Sequence, residues 1–301
     1  MKISVIICTY NREKYLYNIL KSIAQNTLEK SIFEVLVIDN NSNDDTVQIF
    51  EQFKKDFSEI NARYIFEPQQ GLSFARNRGI LESTGEILIY VDDDAFVNTE
   101  YLQSYFDFFQ NNTNIYAAGG PIIPLYETQE PKWMSFYTKQ LLTAFLYNGE
   151  KIKPFKRSQF PGGGNAAYRK TVFDKVGLFN TELGRKGNSL AGAEEKDIFD
   201  KMRTRNMQIF YLPKSILYHI IPQKKLEKPY FDKLTLAIGH SERLRTLSIS
   251  RAKYAKRLII ECVKWVATLF LFCGYIFKFA PQKGWKLILF RYNVTKGLLK
   301  K

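Results

Sequence analysis

The chain has 301 residues, 45% hydrophobic and 25% charged, with a formal net charge of +14; this is a globular composition, long enough for a large core, and it excludes a disordered chain. The charge is uneven: residues 1–130 carry 10 Lys and Arg against 19 Asp and Glu, whereas residues 131–301 carry 34 against 11. The two parts therefore face different partners. Cys8, Cys262 and Cys273 are too few and too poorly spaced for a disulfide framework or a zinc site, which suits a reducing compartment and places the chain in the cytosol.

In chain order, "MKISVIICTYN" opens with a short apolar run that enters a polar turn and lacks a small-residue cleavage pattern, so it reads as a strand rather than a signal peptide. "ISVIIC" and "FEVLVID" (33–39) are nearly continuously apolar, as buried parallel strands are, and "ARYIF" (62–66) and "EILIYV" (86–91) repeat the signal. Between them, segments 13–25, 44–57 and 72–82 have helical spacing, as in Leu16, Ile19, Leu20 and Ile23. This alternation predicts an α/β layer sandwich with a mostly parallel sheet. A helix is expected near 99–110.

From about residue 121 the alternation stops. "GGPIIP" is a breaker cluster, "PKWMSFYTKQLLTAFLY" an amphipathic or lid-like segment, and "PGGGNAAY" (161–168) a tight glycine-rich turn. A helix at 194–205, strands at 208–212 and 215–219, and a basic helical stretch from 229 onward complete the prediction. The division expected is 1–225, with halves 1–120 and 121–225, followed by 226–301.

Ligands of open α/β sheets bind beyond the carboxyl ends of the strands. Thr9, Tyr10, Asn11 and Arg12, then Asp39, Asn40 and Asn41, then Asp92, Asp93 and Asp94 thus converge on one crevice. If 91–94 stays extended, Asp92 and Asp94 share a face and form a hard-oxygen pair suited to Mg²⁺ or Mn²⁺, the shell completed by water and substrate phosphates. The competing reading is that Asp92 or Asp93 caps the next helix. Asp39 can accept from a base or a ribose hydroxyl, or cap the helix near Asp44. Arg76 can meet a phosphate or base, or pair with Glu82 or Glu67.

"VIICTYNRE", "VLVIDNNSNDDT", "GLSFARNRGI", "GEILIYVDDDAF", "GGGNAAYRKTVFDKVGLF", "GAEEKDIFDKMRTRNMQIFYLP" and "YH" at 218–219, in this order over residues 1–220, resemble the family 2 glycosyltransferases of GT-A fold. The resemblance implies an α/β nucleotide-diphospho-sugar transferase fold with flanking helices and a basic helical C-terminal extension. It further implies inverting transfer from a nucleoside diphosphate sugar, usually UDP-linked. Thr9, Tyr10, Arg12, Asp39, Arg76, Asp92 and Asp93 fall at nucleotide positions. Asp92 and Asp94 match the ends of the DxD signature, with Asp94 and His219 as metal ligands. Glu195 stands where the family's basic Asp is expected, with Glu194 and Asp197 as further acids. Gly163, Gly164 and Asn165 fall near the donor and acceptor sugars, Asn165 able to bond a sugar hydroxyl.

In the basic C-terminal region, "WVATLFLFCGYIF" (265–277) is too short to span a bilayer, and the longer 258–280 contains Glu261 and Lys264. An interfacial helix on an anionic membrane is expected, the competing reading being a core helix. No nucleic-acid motif is present. The expected protein is peripheral on the inner face of the cell membrane, acting on a glycan or lipid-linked glycan. A catalytically silent nucleotide-sugar-binding membrane subunit and a metal-dependent nucleotidyltransferase are the alternatives.

Overall fold

The computed structural model describes residues 2–157, 159–187 and 189–300. The strands are β1 (Ile3–Thr9), β2 (Phe33–Asp39), β3 (Ala62–Phe66), β4 (Ile87–Asp92), β5 (Ala95–Val97), β6 (Ala117–Gly119), β7 (Ile122–Tyr126), β8 (Lys153–Pro154), β9 (Asn165–Arg169), β10 (Ile209–Tyr211) and β11 (Leu217–Ile221). The α-helices are α1 (Glu13–Ala24), α2 (Thr46–Asp56), α3 (Leu72–Glu82), α4 (Tyr101–Asn111), α5 (Phe136–Thr143), α6 (Val172–Val176), α7 (Glu194–Thr204), α8 (Gln223–Leu226), α9 (Lys228–Leu247), α10 (Arg251–Phe277) and α11 (Pro281–Leu299).

One sheet has the order β3-β2-β1-β4-β9-β6-β10-β8. Its first four strands are parallel, in a register that pairs Thr9 with Asp39 and Cys8 with Asp92, so the polar residues after each strand emerge together. Strand β9 then runs antiparallel between β4 and β6. The glycine-rich turn expected over 161–168 is therefore shorter than predicted. From Asn165 the chain is a buried strand whose Ala166 and Ala167 let its neighbours approach closely. A second sheet has the order β5-β11-β7.

Alternation along each strand explains why so continuous an apolar run is needed. Val5, Ile7, Val35 and Val37 enter one core with Leu16 and Ile19 of α1, while Ile6, Leu36 and Ile38 enter the other with Ile80 of α3 and Phe199 of α7. Both faces are covered, and each fully buried aliphatic side chain contributes about 1.5–3 kcal/mol. Short strands β5 to β8 escaped prediction because two to five residues give periodicity too little length. The lid-like segment is helical only over α5, where Ser135 and Thr138 form a capping box.

By its internal contacts the chain falls into two compact units: Met1–Leu125, Leu146–Thr181 and Glu195–Ile220 form one, and Tyr126–Phe145, Glu182–Glu194 and Ile221–Lys301 the other. Two inner segments thus group with the C-terminal helices, unlike the linear division at 225. In the second unit, Met134, Leu142, Phe231 and Leu234 form a core. There α9 and α11 meet at Gly239 and Gly297, where a Cβ on Gly239 would fall on the Val294 carbonyl and one on Gly297 on the Leu236 carbonyl.

Glu34 is buried at the start of β2. Its Oε1 accepts from Ser4 Oγ at 2.6 Å and from the Thr84 N–H at 2.7 Å, and Arg63 reaches Oε2 at 3.1 Å. Burial raises its pKa, but the hydrogen bonds from Ser4, Thr84 and Arg63 outweigh it and the net shift is downward. A depressed folded pKa stabilises above the unfolded value of about 4.3 and is lost as pH falls through the folded value. Glu34→Gln is expected to lower stability at pH 7 by about 1–3 kcal/mol. The gap to the parent protein should close in urea melts below about pH 4; a gap independent of pH would show that the charge contributes nothing.

Candidate active site

The crevice floor is three loops tied together. Asn11 and Asn41 adopt left-handed backbone, φ 51° and 67°, which asparagine tolerates. The Asn11 N–H donates to Ser42 Oγ at 3.0 Å and Asn11 Oδ1 accepts from the Asn43 N–H at 2.9 Å. Asn40 Nδ2 donates to the Gln69 carbonyl and its Oδ1 accepts from the Gly71 N–H, both at 2.7 Å. Gly71, at φ 147°, makes a turn that a side chain would strain.

Asp39 does not cap α2; Asp44 takes the Thr46 N–H at 3.2 Å. Asp39 is buried, accepting from the Ser42 N–H at 3.0 Å and from the Tyr64 hydroxyl. Desolvation, then Asp39 itself, raises the Tyr64 pKa, so the ring stays a neutral donor. Thr9 has a buried hydroxyl, and its carbonyl accepts from the Asn40 N–H at 2.9 Å. The Tyr10 ring is exposed beside it.

The aspartates do not continue the strand. β4 ends at Asp92, and Asp93 and Asp94 form a turn before β5, so the alternation expected to place Asp92 beside Asp94 is broken by the reversal of the chain. Asp94 is buried; its Oδ2 accepts from Arg12 Nη1 at 2.9 Å and its Oδ1 lies 3.2 Å from His219 Nε2. His219 is opposite Ala95 in the β5–β11 pairing, and the Ile220 N–H donates to the Asp94 carbonyl at 2.9 Å. Asp93 is buried and its carboxyl is pushed up to about 6, by burial foremost and by Asp94 and Asp92, against the opposing pull of Arg12 and of the Thr9 hydroxyl.

Asp92 goes elsewhere. Its carboxylate occupies the space a Cβ on Gly164 would need, and its N–H donates to the Gly164 carbonyl at 3.3 Å. The expected trio of Asp92, Asp94 and His219 is thus reduced to a pair. Among the described residues no group of three or more His, Cys, Asp and Glu side chains is gathered for a metal. A carboxylate with an imidazole still fits a divalent ion that takes one or two protein ligands and completes its shell with phosphates.

Gly163 gives the same kind of room to Glu195, whose Oε1 sits where its Cβ would be. Two consecutive glycines therefore seat Asp92 and Glu195 against one stretch of backbone. Arg76 Nη1 pairs with Glu195 Oε1 at 2.8 Å, and its guanidinium lies over the rings of Phe179 and Tyr90, 5.4 and 5.8 Å from their centroids. Glu82 pairs with Arg78 at 2.8 Å. Asp197 pairs with Lys201 at 2.7 Å. Glu194, the first residue of α7, is buried and groups with the second unit.

Asn165 is a correction. It is fully buried, with Oδ1 accepting from the Tyr101 and Tyr105 hydroxyls at 2.8 and 2.7 Å and Nδ2 donating to the Pro121 and Ser215 carbonyls at 2.8 and 3.0 Å. Its hydrogen-bonding capacity is spent, so it is not available to a sugar hydroxyl. Its partners went unpredicted, although two tyrosines four apart on a buried helix had signalled a shared polar acceptor.

The family described as Glycosyl transferase family 2 matches residues 4–177, more than half the chain. The chain belongs to glycosyl transferase family 2. This family 2 enzyme is a glycosyltransferase using a nucleotide-sugar donor. Among its relatives is the glucosyl-dolichyl phosphate glucuronosyltransferase of Haloferax volcanii, 24% identical over 268 residues, covering 87% of this chain and 82% of that one. The GT-A fold is shared with solved structures. A mannosyltransferase from Pyrobaculum calidifontis, solved with GDP-Man and Mn²⁺, aligns at a TM-score of 0.61 and 16% identity, covering 100% of this chain and 88% of that one. TarS residues 1–349 of S. aureus align at 0.55 and 22% identity, covering 84% and 73%.

In the family 2 enzyme, Asn165→Ala would strand two buried tyrosine hydroxyls and two carbonyls, and a loss of about 3–5 kcal/mol is expected in chemical denaturation. The folded fraction should bind nucleotide sugars as the parent does; selective loss of sugar affinity with stability intact would return Asn165 to the donor site. Gly163→Ala should push Glu195 off Arg76. Activity should fall at least about tenfold with little change in melting temperature, and parental activity would show that the Glu195 position is immaterial.

Proposed function

We propose that the chain transfers a sugar, with inversion, from a UDP-linked donor to a hydroxyl of a lipid-linked or cell-surface glycan at the cytosolic face of a membrane. The observation that carries this reading is the seating of Asp92 and Glu195 side by side on Gly163 and Gly164. It brings the acidic turn beside an acid that is held by the buried Arg76. Catalysis belongs to residues 1–225 in this reading.

Thr9, Tyr10, Arg12, Asp39, Asp92 and Asp93 surround the nucleoside diphosphate. The exposed Tyr10 ring offers a stacking face, and Asp39, with two donors already fixing its plane, keeps lone pairs for a base or ribose. Asp94 and His219 would hold Mn²⁺ or Mg²⁺. When bound, such an ion neutralises charge growing on the leaving diphosphate as a Lewis acid. Glu195 accepts the proton of the attacking acceptor hydroxyl, and Arg76 fixes the carboxylate for that transfer. Gly163 and Gly164 leave the backbone open to a sugar ring.

A thermal-shift and hydrolysis screen of UDP-, GDP- and TDP-sugars with and without Mn²⁺ tests the reading. One UDP-sugar should stabilise the protein in a metal-dependent way, and Asp94→Asn should abolish the metal-dependent part. Glu195→Gln should cut turnover by about 10²–10⁴-fold with KM nearly unchanged. Stabilisation by no nucleotide sugar would favour a silent subunit, and metal-dependent selection of a GDP-sugar would overturn the donor assignment alone.

A further inference from the structure

Helix α10 has polar residues inside and apolar ones outside. At about 100° per residue, Ile259, Val263, Val266, Phe270 and Phe277 form one stripe of α10, and they are 66, 65, 55, 74 and 83% exposed. The opposite side carries Arg257, Glu261 and Thr268, all buried. Arg257 bonds Glu261 at 2.7 Å and lies 3.4 Å from Glu242 on α9, while Arg291 of α11 reaches Glu261 at 2.9 Å. A helix on a water-facing surface has the reverse polarity, and a continuous apolar stripe of this length marks an interaction surface.

By length and hydropathy α10 could cross a bilayer, but its packing argues otherwise. α11 runs back along it: the Tyr254 hydroxyl donates to the Leu298 carbonyl at 2.7 Å, Trp265 Nε1 donates to Thr295 Oγ1 at 2.9 Å, and the Phe272 and Trp285 rings lie 6.4 Å apart. A crossing α10 would carry α11 with Lys283, Lys286, Arg291 and Lys296 into the hydrocarbon, at a cost of about 2.5–3.5 kcal/mol for each charge near the centre. Lying flat immerses the apolar stripe and leaves those charges at the edge. The charge also selects the occupant. Residues 221–301 hold 18 Lys and Arg against 4 Asp and Glu, which repels a second copy of the same surface and attracts anionic lipid.

We propose that the outer stripe of α10 lies in the plane of an anionic bilayer, at the boundary of headgroups and acyl chains, without spanning it. The buried Arg257–Glu261–Arg291 network holds that stripe outward. This inference rests on the membrane reading above and adds the face and its orientation.

Cys262 and Cys273 are both exposed and sit about three turns apart on the same side of α10, separated by about 16 Å along its axis. Spin labels placed singly on the full chain, with Cys273→Ser or Cys262→Ser, report depth in phosphatidylglycerol–phosphatidylcholine vesicles. Cys8, which is not exposed, is replaced by serine in both variants. Equal shallow depths are expected, with at least about tenfold weaker vesicle partition for Val263→Asp/Phe270→Asp at an unchanged melting temperature, and recovery in Val263→Leu/Phe270→Leu. Depths differing by about 16 Å would overturn the flat orientation while leaving membrane binding intact. Parental partition of the Asp variant would overturn the stripe. Failure of the parent chain to bind vesicles would remove the membrane reading itself, and a dimer abolished by the same variant would make a second copy the occupant.

Discussion

The amide of Asn165 spends all its donors and acceptors on groups from three separate stretches: two hydroxyls of α4, the carbonyl before β7 and the carbonyl before β11. In a dry interior each of these bonds is electrostatically strong, and leaving any partner unmet is costly. The residue therefore sets where β9 begins. Because it follows Gly162, Gly163 and Gly164 directly, it also sets where those glycines present their backbone. The positions of Asp92 and Glu195 depend on that placement, so a residue with no free valence for substrate governs the geometry of residues proposed to have one.

Three consecutive aspartates in a buried turn need a physical account, and the structure supplies different answers for each. Asp94 is met by Arg12 and by the His219 ring. Asp92 points to the glycine backbone. Asp93 has its carboxyl raised, since burial and two neighbouring charges favour its neutral form. The turn after β4 separates what an extended chain would have stacked. The family that the chain belongs to uses nucleotide-sugar donors.

Much of this architecture was legible. The runs Ile3–Thr9 and Phe33–Asp39 are apolar enough to be doubly covered strands, and Leu16, Ile19 and Ile23 mark one face of α1; period and length suffice for such elements. The convergence of residues after β1, β2 and β4 followed from parallel topology alone. What escaped is informative. The sequence leaves open whether Asp93 and Asp94 stay extended, because nothing local announces a turn before Ala95, where a short strand pairs with β11 more than a hundred residues away. Asn165 read as a sugar contact because a polar residue in a glycine-rich stretch resembles a binding loop, and its four partners are distant in sequence. The pairing of Arg76 with Glu195 is likewise invisible to spacing, since it joins α3 to α7, helices far apart in the chain that share one core.

The meeting of α9 and α11 at Gly239 and Gly297 has a mechanical corollary. Main chain rests on main chain at two notches, one cut in each helix, with no flexible side chain between them to yield. Such a joint cannot ratchet or slide by a fraction of a turn, as helices separated by a layer of leucines can. Load applied along α10 would pass through α11 into α9 as through a welded truss, and the second unit would meet any surface it touches as a stiff plate.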